Sequence, residues 1–242
     1  MTERYPETAD IETSSDGYAA RFAGPVGEWM LGVQESIVVS WVRDNSPDAV
    51  LDVGGGHGQL AVPLARAGDK ITVLGSDPVC AKRIETEVRD GKIKFQVGNV
   101  IALPFPDQSF DMVVSVRLLP HCERWPEFIR ELCRVARKSV VVDYPLESKA
   151  AAVLFGAKKK LEGNTRTWLS FSHAAIQTEF EKNGYRLKRR TGQFILPMVL
   201  HRTLKCRAIS SFLESICRDL GLTRRWGSPV LTEMERRESS RL

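Results

Sequence analysis

From about Asn45 onward short apolar runs alternate with stretches of helical periodicity, a rhythm that predicts a parallel sheet covered by helices. The runs Ala49 to Val53, Lys70 to Gly75, Ile93 to Val97, Asp111 to Val116 and Ser139 to Tyr144 are rich in Val and Ile and read as strands. Between them, Leu60 to Arg66, Cys80 to Arg89 and Glu123 to Arg137 read as helices. The last carries Trp125, Phe128, Ile129, Leu132 and Val135 at helical spacing, which predicts a core-facing side.

Upstream, Pro25 to Arg43 predicts a leading helix with Val26, Trp29, Val33, Ile37 and Trp41 on roughly one face and Pro25 in its first turn. Downstream, Ser172 stands where an N-cap is expected, with Gly184 as the left-handed stop after Lys182. Strand signals resume at Tyr185 to Ile195 and at Ser228 to Met234. Leu204 to Leu220 reads as an amphipathic stretch with Ile209, Phe212, Leu213, Ile216 and Leu220 on one side, one of the elements expected to cap the core. The expected division is an arm and helix over 1–44, a ligand-binding core over 45–146 and the rest of the sheet with cap helices over 147–242, all in one domain.

Composition narrows the class. A chain of 242 residues with 43% apolar content suits one sizeable core. Its five cysteines form no CxxC pair and have no histidines at ligand spacing, so they read as buried residues in a reducing compartment, and no metal is expected. The polar, acidic start lacks a secretory pattern, and no apolar run approaches membrane-spanning length; a cytoplasmic protein is expected.

Charge is uneven. Residues 1–148 carry 16 Lys and Arg against 22 Asp and Glu, whereas residues 149–242 carry 19 against 8. A basic C-terminal part attracts anions, whether an acidic small molecule, a nucleic-acid backbone or an anionic membrane surface at which the protein sits peripherally. Such runs also simply solvate exposed faces.

The chemistry concentrates in Val50-Leu51-Asp52-Val53-Gly54-Gly55-Gly56-His57-Gly58, where a buried strand ends in a carboxylate and enters a glycine cluster. Dinucleotide sites favour GxGxxG around a pyrophosphate; here the spacing is GxGxG, and Asp52 would repel a pyrophosphate. A carboxylate there suits a ligand bearing an ammonium and a sulfonium, which points to S-adenosylmethionine. Asp77 ends the second strand, where a carboxylate can accept both ribose hydroxyls in either cofactor class.

With these residues in view the chain resembles the class I S-adenosylmethionine-dependent methyltransferases, particularly the small-molecule branch typified by ubiquinone and menaquinone C-methylation. The resemblance rests on LDVGGGHG at 51–58, GSDP at 75–78, VGNVIALPFPDQSFDMVVS at 97–115 and RELCRVARKSVVVDYP at 130–145, and thins beyond Pro145. It implies an α/β fold: a Rossmann-like, seven-stranded, mostly parallel sheet with helices on both faces, an N-terminal helix and C-terminal helical caps. It assigns Asp52, Gly54 and Gly56 to the methionine end of the cofactor, Asp77 to the ribose, and Pro78 with Asn99 to the adenine, with Val100 a further candidate cofactor contact. Asn99 stands where the family usually has an aspartate, so its carbonyl would accept from the adenine amine without charge assistance. Ser115, Val116 and Arg117 fall where the fourth strand opens onto the cofactor. Arg117 suggests a nearby carboxylate, on the cofactor or on an anionic acceptor, or else a surface ion pair.

Tyr18 to Phe22 resembles the family's YxxRF entry segment, which makes Tyr18 and Arg21 candidate lid contacts; an ordinary helix start would use the same residues. His57 lies within the glycine loop and reads either as a cofactor contact or as a solvent-facing residue. In-line methyl transfer needs alignment and water exclusion, and a base only when the acceptor must lose a proton. His121, Asp143 and Tyr144 are the candidates for that base, His121 also for a capping role. Arg166, within Asn164 to Arg166, and His201 with Arg202, within Pro197 to Arg202, are candidate acceptor contacts on the cap.

The expected reaction is methyl transfer from S-adenosylmethionine to a small, amphipathic or anionic acceptor, leaving S-adenosylhomocysteine. The sequence does not fix the oligomeric state. A nucleic-acid methyltransferase is the first alternative, disfavoured because Val116 to Pro120 stands where an NPPY-like segment or a Pro-Cys nucleophile would and no aromatic platform is evident. A non-catalytic cofactor-binding protein is the second.

Overall fold

A computed structural model describes residues 5–147 and 167–237. Seven strands form one sheet in the order β3-β2-β1-β4-β5-β7-β6. They are β1 (Val50–Val53), β2 (Ile71–Gly75), β3 (Ile93–Val97), β4 (Phe110–Ser115), β5 (Ala136–Tyr144), β6 (Tyr185–Gly192) and β7 (Val230–Arg236). The first five are parallel, while β7 runs antiparallel between β5 and β6. The alternation of runs predicts this parallel sheet covered by helices, and its seven-stranded, Rossmann-like form is the one that the resemblance implies.

Burial explains the runs. Every residue of β1 and β4 is buried, as a central parallel strand with helices on both faces requires. On one face Leu51, Val113 and Val140 pack beneath α6 (Trp125–Val135), whose Phe128, Ile129 and Leu132 are buried. On the other, Val50, Met112 and Val141 pack with Val38, Trp41 and Val42 of α3 (Gly24–Asn45) and Leu64 of α4 (Ala61–Arg66). The edge strand β6 alternates half-buried with exposed positions and carries Arg186 and Arg190 into solvent, charges that discourage pairing with another sheet, while Lys188 reaches Asn45 and the buried Glu233.

Several elements depart from the periodicity. The leading helix buries Val26, Met30, Gln34, Val38, Trp41 and Val42, a face rotated from the expected one, so Trp29, Val33 and Ile37 flank the contact. The stretch after β2 starts as 3-10 turns over Pro78–Ile84 and becomes α-helical only in α5 (Glu85–Arg89). Two short helices, α1 (Ala9–Thr13) and α2 (Asp16–Ala20), precede α3. After α7 (His173–Lys182), capped by Ser172 as expected, and β6, the C-terminal part continues as α8 (Met198–Leu204), α9 (Arg207–Asp219) and α10 (Leu222–Trp226). Leu204 to Leu220 is therefore two helices, broken where Lys205 takes a φ of 49°. The apolar face of α9 points outward: Phe212 and Leu220 are 64% and 68% exposed. Its polar Ser210 and Glu214 are the buried residues instead, Glu214 because it accepts from the backbone N–H groups of Ile195 and Leu196.

Candidate functional site

The carboxyl ends of β1, β2, β4 and β5 converge beneath the N-terminal segment, the crevice where open α/β sheets bind ligands. β1 ends in the glycine loop. Gly54 adopts a φ of 78° and donates its N–H to the Leu74 carbonyl, so the chain turns without leaving the sheet. Gly56 backs onto the Cys80 carbonyl and the Ser14 hydroxyl, where a Cβ would have no room.

The Asp52 carboxyl lies directly under Gly55 and is buried. It receives no hydrogen bond from any described residue, and desolvation raises its pKa to about 7, with the positive Arg117 opposing. An orphaned buried carboxyl of this kind suits a cationic ligand group.

Arg117 follows β4 in the left-handed region, φ 65°. Its backbone N–H donates to Asp143 Oδ1 at 2.6 Å, and Asp143 Oδ2 accepts from Gln34 Nε2 at 3.0 Å. Asp143 is thus a clamp fixing the turn that carries Arg117, and burial raises its own carboxyl to about 6. The Arg117 guanidinium stacks over the rings of Tyr18 (5.5 Å) and Phe22 (5.4 Å), while its Nε and Nη1 are buried without a hydrogen-bond partner. No ion pair takes up this cation among the described residues. Its charge is felt at both Asp52 and Asp143.

Further groups meet the same rings. Arg21 lies over Tyr18 at 5.3 Å and Arg202, from α8, over Phe22 at 5.3 Å, with the Arg202 Nε buried and unpartnered. His57 presents its ring edge-on to Tyr18, and neither of its buried ring nitrogens has a partner. Burial lowers its pKa to about 4, helped by Arg117 and Arg83, so the imidazole is neutral at pH 7. Tyr18 both starts a helix, its N–H bound to the Ser15 side chain, and covers the cleft.

The remaining sequence candidates divide. Asp77 is partly exposed, and its Oδ1 already accepts from Val79 N; Pro78 beside it is exposed. Asn99 Oδ1 accepts from Ile101 N at 3.1 Å, which leaves one lone pair of that oxygen for a ligand; Val100 is buried. Ser115 donates to the Val53 carbonyl, tying β4 to β1, and Val116 is half-buried next to it.

Alternation along β5 sends Asp143 and Tyr144 to opposite faces, so the two do not share the crevice. The Tyr144 hydroxyl meets His173 Nδ1 at 2.9 Å and Thr232 Oγ1 at 3.4 Å. His121 is buried, with Nδ1 against the Thr167 carbonyl at 2.9 Å and its ring on Trp168. His201 is buried between Trp29 and Phe194 and pairs with Glu214 at 3.0 Å. Arg166 lies outside the described residues.

Sequence reasoning overlooked Gln34 and Asp10. Gln34 interrupts the apolar face of α3 at the spacing Met30, Gln34, Val38, a polar residue where burial demands a partner, and this signal was readable. Asp10 gave none, being one acid in a polar N-terminus. It is nonetheless buried, its carboxylate accepting from Ser76 N at 2.6 Å, from the Ser76 hydroxyl and from Cys80 Sγ at 3.4 Å. With Glu7 accepting from Arg124 N at 2.8 Å, this fastens α1 across the crevice between the glycine loop and the end of β2.

Residues 51–142 match the family model described as a methyltransferase domain. Ajmaline N-methyltransferase of Rauvolfia serpentina is 29% identical over 104 residues, which are 41% of this chain and 36% of that protein. Demethylmenaquinone methyltransferase of Deinococcus radiodurans is 30% identical over 124 residues, 48% of this chain and 50% of that one. The chain spans between about a third and about a half of the curated relatives it matches. Among solved structures, magnesium protoporphyrin IX methyltransferase from Synechocystis PCC 6803 with bound S-adenosylhomocysteine superposes with a TM-score of 0.66 at 17% identity. That superposition covers 95% of this chain and 98% of that one, and at such identity it speaks for the fold alone.

Proposed function

We propose that this chain, a class I methyltransferase by the domain at residues 51–142 and by its fold, binds S-adenosylmethionine in the crevice and transfers its methyl group to a small acceptor. One observation carries the reading. The floor of the crevice holds an orphaned buried carboxyl, Asp52, and its wall an orphaned buried guanidinium, Arg117. The pair is complementary to a zwitterion, as the methionine end of the cofactor is: Asp52 would take the ammonium and Arg117 the carboxylate. Asp77 would accept from the ribose hydroxyls, and Asn99 with Val100 would border the adenine. A pyrophosphate offers nothing cationic to Asp52, which argues against a nicotinamide cofactor.

When bound, the cofactor supplies a methyl group activated on a sulfonium. The residues of this chain align and shield. Tyr18 and Phe22 roof the crevice and exclude water, and Asp143 fixes the turn that aims Arg117. His57, kept neutral by burial, offers a donor and an acceptor beside that roof. Asp143 is held by two donors and the Tyr144 hydroxyl lies on the far face of the sheet, so neither serves as the base here. Arg202 against Phe22, with its free Nε, places a cation where the acceptor would approach and favours an anionic group on it. The contacts of Asp10 at Ser76 span the mouth of the same crevice, so cofactor entry has to loosen α1.

Calorimetric titration tests the reading. One equivalent of S-adenosylhomocysteine is expected to bind and NADH to give no heat; binding of NADH without a response to S-adenosylhomocysteine would sink it. Transfer of label from methyl-labelled cofactor into a metabolite extract would then report the acceptor.

A further inference from the structure

Helix α9 is amphipathic in the inverted sense. At about 100° per residue Ile209, Phe212, Ile216 and Leu220 fall in one stripe about 80° wide. All four are exposed, Ile209 at 49% and Ile216 at 41%. Its opposite, polar side is the one fastened to the protein: Ser210 is buried, and the Glu214 carboxylate accepts from Ile195 N and Leu196 N and pairs with His201. The apolar stripe is therefore largely left in water, and its exposure carries a cost that a partner would remove. Leu200 and Leu204 on α8 and Trp226 on α10, which packs against α9, add exposed apolar area beside it.

The charges around the stripe are nearly all of one sign. Between Leu200 and Trp226 the exposed charged residues are Lys205, Arg207, Arg218, Arg224 and Arg225 against a single Asp219. None of the five cations pairs with an acid among the described residues. A two-fold dimer would set this patch against itself and bring its cations face to face, which opposes self-association. An exposed apolar stripe rimmed by unpaired Lys and Arg is instead complementary to a bilayer surface bearing anionic headgroups.

We propose that α9 docks the protein on an anionic lipid surface, lying in the interface plane with Phe212, Ile216 and Leu220 inserted and the surrounding Lys and Arg on headgroup phosphates. The face adjoins the crevice: α8 and α9 both pack on α3, and α8 carries Arg202. Docking there would turn the acceptor end of the site toward the membrane. The proposal does not depend on the cofactor reading.

Co-sedimentation of the full chain with vesicles tests it, comparing phosphatidylcholine alone with phosphatidylcholine containing about 30% phosphatidylglycerol. Binding is expected to the anionic vesicles and to weaken several-fold between about 0.05 and 0.3 M salt. The Phe212→Ser, Leu220→Ser double variant, whose sites are exposed and whose fold is checked by its thermal melt, is expected to lose about tenfold or more in partitioning. Arg224→Ala with Arg225→Ala should lose several-fold. Absence of binding to anionic vesicles, or binding that neither variant weakens, would overturn the proposal. So would a dimer in analytical ultracentrifugation that the Phe212→Ser, Leu220→Ser variant dissociates.

Discussion

Proton linkage at Asp52 gives the sharpest quantitative test. Its carboxyl titrates at about 7 in the ligand-free protein because burial removes water and only the Arg117 charge compensates. An ammonium binds the ionised carboxylate and not the neutral acid, so affinity should follow the ionised fraction. For a pKa of about 7 that fraction is about 0.76 at pH 7.5 and about 0.09 at pH 6, so affinity for S-adenosylhomocysteine should fall about eightfold, close to 1.3 kcal/mol. Asp143, raised to about 6, adds to the loss only near the bottom of this range. Calorimetry in two buffers of different ionisation enthalpy should also show a proton released on binding near pH 6.5. The Asp52→Asn variant, which cannot ionise, should bind weakly and lose most of the pH dependence. An affinity flat from pH 6 to 7.5 in the unaltered protein, or a slope that Asp52→Asn retains, would refute the assignment of Asp52 to the ammonium.

Four further outcomes follow from the same groups. Because the folded-state pKa of Asp52 lies above its value of 3.8 when solvated, the folded state binds more protons between these values, and its stability falls as pH rises toward 7. Asp52→Asn should therefore melt higher than the unaltered protein at pH 8 and show little advantage at pH 4; equal melting at pH 8 would count against the burial argument. Arg117→Gln, which removes the unpartnered guanidinium, should weaken S-adenosylhomocysteine binding by about 1.5 to 3 kcal/mol, with decarboxylated analogues much less affected. Asp10→Ala removes the carboxylate holding α1 to Ser76 and should tighten cofactor binding several-fold; weaker binding would make α1 a wall of the site instead of a cover. Gly56→Val would drive a side chain into the Cys80 carbonyl and should abolish binding, with a lowered melting temperature.

The sheet was legible because central parallel strands covered on both faces are near-continuous apolar runs, as Ile71–Gly75 is, while the edge strand Ile93–Val97 shows the alternation of a strand half in water. The glycine loop was legible as a motif at fixed spacing from those strands, whereas Arg117 was placed only by resemblance, and its burial without an ion pair among the described residues was not legible. Inside and outside were not always distinguishable. The stripe Ile209 to Leu220 has the period of a core-facing helix, and only the hydrogen bonds of Glu214, made to a loop near Ile195 far from its own turn, reverse the face. Asp143 and Tyr144 both end β5, and simple alternation separates them. Asp10 lies 66 residues from its partner Ser76, a tertiary pairing that no local pattern announces.

The central claim is that the crevice holds a zwitterionic cofactor between Asp52 and Arg117, and a crystal structure of the complex with S-adenosylhomocysteine tests it most directly. The account predicts the ammonium against Asp52, the carboxylate on the Arg117 guanidinium and the ribose hydroxyls on Asp77, with α1 withdrawn from Ser76. A ligand seated with its amino-acid end away from both residues, or outside the crevice, would contradict it.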